Sequence, residues 1–99
     1  MNVTKTHENG KIVVAVKGKI NTSTSQQFSD ALMPVFDEAK DIVLDFSEVV
    51  YIASTGLRVI LTGYEAANAK GAKMVMRGVL DEVMKVFEMT GFIEFLEIE

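Results

Sequence analysis

The tightest constraint on this chain is the passage from Ile42 to Leu61, where a short apolar run, a loop and an amphipathic stripe follow one another without a break. Ile42-Val43-Leu44-Asp45-Phe46 is nearly continuous in hydrophobicity and fits an inner strand of a sheet covered on both faces. Leu57, Ile60, Leu61 and Tyr64 then recur at i, i+3, i+4 and i+7, one face of a helix. Ser54 stands just before that stripe and reads as its N-cap, its oxygen accepting a bond from an otherwise unpaired amide of the first turn. The same position favours negative charge, because free amides and the positive end of the helix dipole face it.

The flanking segments repeat the alternation. Residues 2 to 7 and 11 to 17 flank Glu8-Asn9-Gly10, and Asn-Gly between β-prone runs predicts a hairpin with Glu8 opposite Lys11. Ile12, Val14 and Val16 face one way and Val13 and Ala15 the other, so the second strand reads as internal and covered on both sides. Ser23 and Gln26 have capping-box spacing, and Phe28, Leu32, Val35, Phe36 and Ala39 form a core-facing stripe. Pro34 interrupts it, which predicts a kink or a restarted helix. Thr22 to Ser25 make a capping and turn cluster, or a loop that meets a partner.

Beyond Lys70-Gly71, residues 72 to 76 read as another strand. Val79, Val83, Val86, Phe87 and Thr90 give a third helical stripe, with Asp81 and Glu82 at its positive end. Gly91 is placed to end that helix in a left-handed conformation, with Phe92 closing back on Phe87. Residues 93 to 98 then read as a last strand whose Glu94, Glu97 and Glu99 suit a solvated edge. The order β-β-α-β-α-β-α-β predicts one α/β domain over residues 1–99. Its sheet is mixed, mainly parallel and twisted, of about five strands, with three main helices.

Composition narrows the function. Ninety-nine residues suit one core. Without cysteine there is no disulfide, thiol nucleophile or cysteine zinc site, and His7 stands alone, so neither a metal nor another cofactor is expected. No signal peptide or membrane-length apolar run is present, which points to a cytoplasmic protein with no membrane insertion. A net charge of −4 with scattered Lys and Arg argues against direct nucleic-acid binding and for a protein partner. No GxxxxGK[ST] or GxGxxG loop occurs, and Ser54 has neither a histidine at triad spacing nor a Gly-x-Ser-x-Gly context. Asp45 and Glu48 read as solvated strand-end acids rather than an acid–base pair. Met33, Met74, Met76, Met84 and Met89 read as gap-filling core residues, with any exposed subset near Met84 a sticky contact face. The chain reads as a substrate or adaptor rather than an enzyme.

Ile42-Val43-Leu44-Asp45-Phe46-Ser47 followed by Tyr51-Ile52-Ala53-Ser54-Thr55-Gly56-Leu57-Arg58 resembles the signature of the STAS domain, specifically the single-domain bacterial anti-sigma factor antagonists. Gly18-Lys19-Ile20-Asn21 resembles that family's loop before the first helix, and Thr90-Gly91-Phe92 its ending of the last one, so the likeness runs the length of the chain. The resemblance implies a partner switch in transcription regulation. The unmodified antagonist binds an anti-sigma factor that is also a serine kinase and so releases a sigma factor. The kinase then phosphorylates the antagonist, and a serine phosphatase resets the cycle.

Carried over by position, the phosphoacceptor is Ser54, with Thr55 beside it and Gly56 allowing close approach. Asn21 and Thr22 flank the same surface, and Ala53 and Arg58 complete the implied partner-binding set. Many relatives carry aspartate where this chain has Ala53 and Asn21, so two acids beside the acceptor are missing. The rival reading is a STAS accessory subunit that binds a membrane lipid- or anion-transport component; a ligand-sensing module is a third. A monomer is expected, since Glu94, Glu97 and Glu99 discourage pairing through the last edge.

Overall fold

In the computed structural model, which describes residues 1–38 and 40–99, Asn9 and Gly10 take φ of 52° and 78°. Two left-handed residues in succession give the tight turn whose twist matches its strands. It joins β1 (Asn2–Glu8) to β2 (Lys11–Ile20) with Glu8 opposite Lys11, as the Asn-Gly pair predicts. The chain continues through α1 (Ser25–Leu32), a 3-10 helix (Met33–Glu38), β3 (Ile42–Ile52), α2 (Ser54–Ala69), β4 (Met74–Arg77), α3 (Asp81–Thr90), a short 3-10 turn (Phe92–Glu94) and β5 (Glu97–Ile98). Strand order follows sequence order, β1-β2-β3-β4-β5, with β1 antiparallel to β2 and every later pair parallel. The α/β class and the mixed, mainly parallel sheet stand as the sequence suggests.

Each parallel crossover advances the sheet in the same direction, so right-handed connections put every helix on one face. The core lies there: Ile12, Val14, Val16, Ile42, Leu44, Phe46 and Met76 pack with Phe28, Leu32 and Phe36 from the α1 side, Ile60 and Ala67 from α2, and Val83 and Phe87 from α3. This corrects the expectation of a sheet covered on both faces. On the opposite face Val13 and Val43 are buried without belonging to that cluster. Across that face Arg77 of β4 reaches Glu8 of β1 (4.0 Å) and Glu99 (3.6 Å). A pair that joins β4 to β1 must pass over β2 and β3, so side chains rather than a helix layer shield the two valines.

Pro34 acts as predicted, ending α1 at Leu32 and restarting the chain as the 3-10 helix, in which Val35 and Phe36 stay buried. Ala39, the last member of the predicted stripe, lies outside the described residues. The Ser23–Gln26 capping box does not form. The Asn21 side-chain oxygen accepts the Ser23 and Thr24 amides, both at 3.0 Å, while Gln26 bonds Asp30 along the exposed face (2.9 Å). Asn21→Ala should therefore cost about 1 kcal/mol in urea unfolding, whereas Asn21→Asp keeps the acceptor and should stay within about 0.5 kcal/mol of the parent.

In α2 the buried face is Gly56, Leu57, Ile60, Gly63 and Ala67; Leu61, expected on it, is 38% exposed. Two glycines let this helix sit close to the sheet, which rotates the apolar stripe away from Leu61. Gly91 has φ of 82° and Phe92 stacks on Phe87 with centroids 6.4 Å apart, both as predicted. The last strand is shorter than expected: residues 92 to 94 wind into a 3-10 turn and only Glu97 and Ile98 pair with β4. Aromatic packing explains the difference, since Phe92 and Phe95 lie 4.9 Å apart and Phe95 meets Tyr64 at 4.9 Å, holding both rings toward α2. Met74 and Met76 are buried as core residues, but Met89 is 86% exposed.

The β1 edge is tied to the 3-10 helix by Glu38, which accepts from Lys5 (2.9 Å) and His7 (3.0 Å). Those bonds, first from His7 and then from Lys5, hold the Glu38 carboxyl below its ordinary 4.5. A depressed carboxylate contributes stability above its unfolded value and loses it as pH falls through the folded one. The tie should therefore weaken below about pH 4.5, by a small, salt-screened amount. A double His7→Ala, Lys5→Ala variant should flatten this acid limb of a melting-temperature profile.

Candidate functional site

The reading of residues 47 to 52 as a loop is corrected: they continue β3, whose run from Ile42 to Ile52 pairs with β2 as far as Ile20. Two register shifts hide this in the sequence. Ala15 pairs with Asp45 and Lys17 with Glu48, then Gly18 with Val49 and Lys19 with Tyr51, so β3 carries an extra residue each time. Each bulge breaks the alternation and leaves two neighbours outward, first Ser47 and Glu48, then Val50 and Tyr51. Phe46, Val49 and Ile52 face the core at a spacing of three. Asp45 is occupied with the first of these bends, accepting the Ser47 amide (3.0 Å) and hydroxyl (2.7 Å), and Glu48 lies 3.6 Å from Lys17. Both acids therefore have local partners.

The ladder ends where the Ala53 amide donates to the Ile20 carbonyl (2.8 Å). That bond keeps Ala53 extended (φ −92°, ψ 170°) and makes it, not Ser54, the cap position of α2. Ser54 is the first helical residue, one place later than the capping pattern suggests, and no side chain caps the helix. Its side chain is exposed and free of capping. The Ala53 carbonyl takes the Gly56 and Leu57 amides (3.0 and 3.1 Å), while those of Ser54 and Thr55 have no acceptor among the described residues. An exposed hydroxyl thus belongs to the first of two residues whose N–H groups are unpaired among the described residues, at the positive end of a 16-residue helix.

The neighbours differ in access. Thr22 and Arg58 are exposed, and Asn21, Ala53 and Thr55 are half-buried. The Thr55 hydroxyl is sealed from solvent with no partner among the described residues, which leaves Ser54 as the accessible one of the two. Gly56 is buried: a Cβ there would lie 2.6 Å from Ile20 Cγ2 and 2.9 Å from Ile52 Cγ1. Its close approach is to the sheet beneath, and it seats the helix start on the ends of β2 and β3. Because Ile20 pairs with Ile52, the Asn21–Thr22 turn and the Ala53–Ser54 junction come to the same end of the sheet. A groove of about 240 Å³ separates α1 from α2 there, lined by Ser25, Gln26, Ser29, Thr55, Arg58, Val59 and Thr62. The groove and the second bulge escaped sequence reasoning; the adjacent apolar pair Val50 and Tyr51 is the trace of the bulge, whereas the groove depends on how α1 and α2 pack. Among the described residues no cluster of three or more His, Asp or Glu is arranged to hold a metal, and no helix is long and apolar enough to cross a membrane.

The sequence pattern of the STAS domain matches residues 2–99. An anti-sigma-B factor antagonist of Listeria monocytogenes is 31% identical over 97 residues, covering 96% of this chain and 84% of its own length. An anti-sigma factor antagonist from Mycobacterium paratuberculosis has the same fold, with a TM-score of 0.84 at 24% identity over 98% of this chain and 83% of that one. So does the anti-sigma factor antagonist SpoIIAA in its unphosphorylated form (TM-score 0.81, 14% identity, 99% and 88% coverage) and in its phosphorylated form (0.74, 13%, 99% and 91%). The structural likeness at these identities concerns the fold, and the full-length match with the 31% relative concerns descent. By both, the chain belongs to the STAS domain family.

Proposed function

We propose that this chain is an anti-sigma factor antagonist whose grip on an anti-sigma factor is set by phosphorylation of Ser54. The observation that carries the reading is the exposed Ser54 side chain at the start of α2, whose first two amides are unpaired among the described residues. The unmodified protein binds the anti-sigma factor as a cytoplasmic monomer through the face formed by Asn21, Thr22, Ala53, Ser54, Thr55 and Arg58, with Gly56 holding that face in place from below. The anti-sigma factor doubles as the serine kinase, and a serine phosphatase restores the binding form. The relatives' names support the antagonist role, and a relative solved in both phosphorylation states supports a fold that accommodates the modification.

The physics agrees. A phosphate adds about −1.5 to −2 charge and three acceptor oxygens, which the Ser54 and Thr55 amides and the helix dipole favour. Arg58 stands four residues on, over the same helix face, and can add a charge-assisted bond. Incubating the protein with its host's anti-sigma factor and ATP, then mapping modified peptides, tests the assignment. Modification at Ser54 is expected. Binding without any modification, with equal affinity for Ser54→Ala and Ser54→Asp, would overturn the phosphoacceptor assignment, and no binding at all would favour an accessory subunit of a membrane-transport system.

A further inference from the structure

Where α1 and α2 face each other, the groove of about 240 Å³ is walled by Ser25, Gln26 and Ser29 on one side and by Thr55, Arg58 and Thr62 on the other. No carboxylate is among its lining residues, in a chain whose net charge is −4. Asp30, next to Ser29, is engaged by the Gln26 side-chain amide (2.9 Å). Arg58 is exposed and forms no ion pair among the described residues, and the Thr55 hydroxyl has no hydrogen-bond partner there either. A buried hydroxyl without a bond is costly, and a helical threonine has two rotamers open to it, so one rotation about Cα–Cβ can turn it to an acceptor in the groove. Ser25 and Thr62 play the opposite part. Their hydroxyls donate to the carbonyls of Thr22 (3.2 Å) and Arg58 (3.0 Å), which leaves each with lone pairs for a further partner. Ser25 is itself buried, at 8% exposure.

We propose that this groove binds a small phosphate ester of a polyol, its phosphate held by Arg58, Ser29 and Thr55 and its hydroxyls by Ser25, Gln26 and Thr62. A guanidinium and two hydroxyls on facing walls donate from several directions, which suits a tetrahedral oxyanion with three free oxygens better than a planar carboxylate with two. The acceptors beside them suit the hydroxyl donors of a polyol. Size points the same way. Drug-sized ligands occupy clefts of about 300–1,000 Å³, so the occupant here is smaller. Val59 is the one apolar residue of the lining, too little to seat an acyl chain, and the ligand is therefore a free ester rather than a lipid headgroup. The site stands apart from the antagonist reading, since Ser54 does not line it. Arg58 alone is shared with the proposed phosphoserine contact, so Ser29 carries the decisive variant.

Two-dimensional amide NMR of the full, unmodified chain, titrated with glycerol 1-phosphate, inorganic phosphate and glycerol, tests this. Glycerol 1-phosphate should shift the amides of Ser29, Thr55, Arg58 and Thr62 with half-saturation at about 1 mM or below. Inorganic phosphate should move the same set more weakly, and glycerol should move none of them. Ser29→Glu, which sets a carboxylate in the groove, should abolish the shifts, and Arg58→Gln should weaken binding at least about 10-fold. A melting curve within a few degrees of the parent shows that each variant is folded. Vesicles of phosphatidylglycerol should not retain the chain on sedimentation; retention that Ser29→Glu removes would keep the site and make a lipid the source of its phosphate. Equal shifts with glycerol, undiminished shifts in Ser29→Glu, or no shift with either phosphate up to about 10 mM would overturn the proposal.

Discussion

Phosphorylated protein and Ser54→Asp are both expected to bind the anti-sigma factor at least about 100-fold more weakly than the parent while melting within a few degrees of it. Ser54→Ala should keep parent affinity and accept no phosphate. The separation of affinity from stability follows from where the charge lands. On the free protein it meets two unpaired amides, the positive end of α2 and Arg58, all of which favour it. In a packed interface the same charge must shed water against groups arranged for a neutral hydroxyl. Desolvation of an ion without a prepared partner reaches several kcal/mol, and about 2.7 kcal/mol already corresponds to the stated loss. Affinity by calorimetry and melting by circular dichroism check the two halves independently. A large drop in melting temperature or helical signal on modification would mean that the charge damages the fold, and the switch would then be one of unfolding.

Gly56→Ala is expected to destabilise the protein, against the usual direction for a helix. In an exposed helix interior, alanine in place of glycine gains about 1 kcal/mol. At Gly56 the new methyl would sit 2.6 Å from Ile20 Cγ2 and 2.9 Å from Ile52 Cγ1, distances that force the helix start or both isoleucines to move. Overpacking of this kind costs about 1–3 kcal/mol, so the net loss should reach about 2 kcal/mol at its upper end, several degrees in melting temperature. Gly63→Ala is the comparison. There the nearest atoms are the far ends of Leu32, Met74 and Phe36 at 3.2 to 3.3 Å, and a few tenths of an ångström of movement suffice. That variant should lie within about 1 kcal/mol of the parent. The affected function differs too, since shifting the start of α2 displaces Ser54 and should slow its phosphorylation, whereas Gly63 lies two turns away.

How far the fold was legible depended on whether a signal was local. The Asn9-Gly10 turn, the Pro34 break and the Gly91 helix end each act through the φ of one or two residues, and each appears where the sequence puts it. In α1 and α3 the buried Phe28, Leu32, Val83 and Phe87 fall on the stripes that the sequence marks, although Val79 precedes α3 and Thr90 is exposed. What failed was set by neighbours distant in sequence. Residues 47 to 52 carry no strand alternation because two bulges absorb it, and bulges exist only relative to the register of β2. Ser54 lost the cap position by one residue because the Ile20 carbonyl holds Ala53 extended. Residues 93 to 96 gave up strand pairing to the contacts of Phe92 and Phe95. At the site, Ser54 and Arg58 share a helix and were readable together, but only the pairing of Ile20 with Ile52 brings the Asn21–Thr22 turn to the same end of the sheet.

Past Lys17 and Asp45 the sheet narrows to β2 and β3, which bears on how the molecule breathes. Amide protons near Ile42 to Leu44 are flanked by strands on both sides, whereas those from Glu48 to Ile52 have a neighbouring strand on one side alone. Isotope exchange should therefore reach the outward amides of the second group through small local fluctuations, long before the first group yields to global opening. That end of β2 and β3 is then the most pliable part of a stiff body, where local adjustment leaves the wider sheet undisturbed.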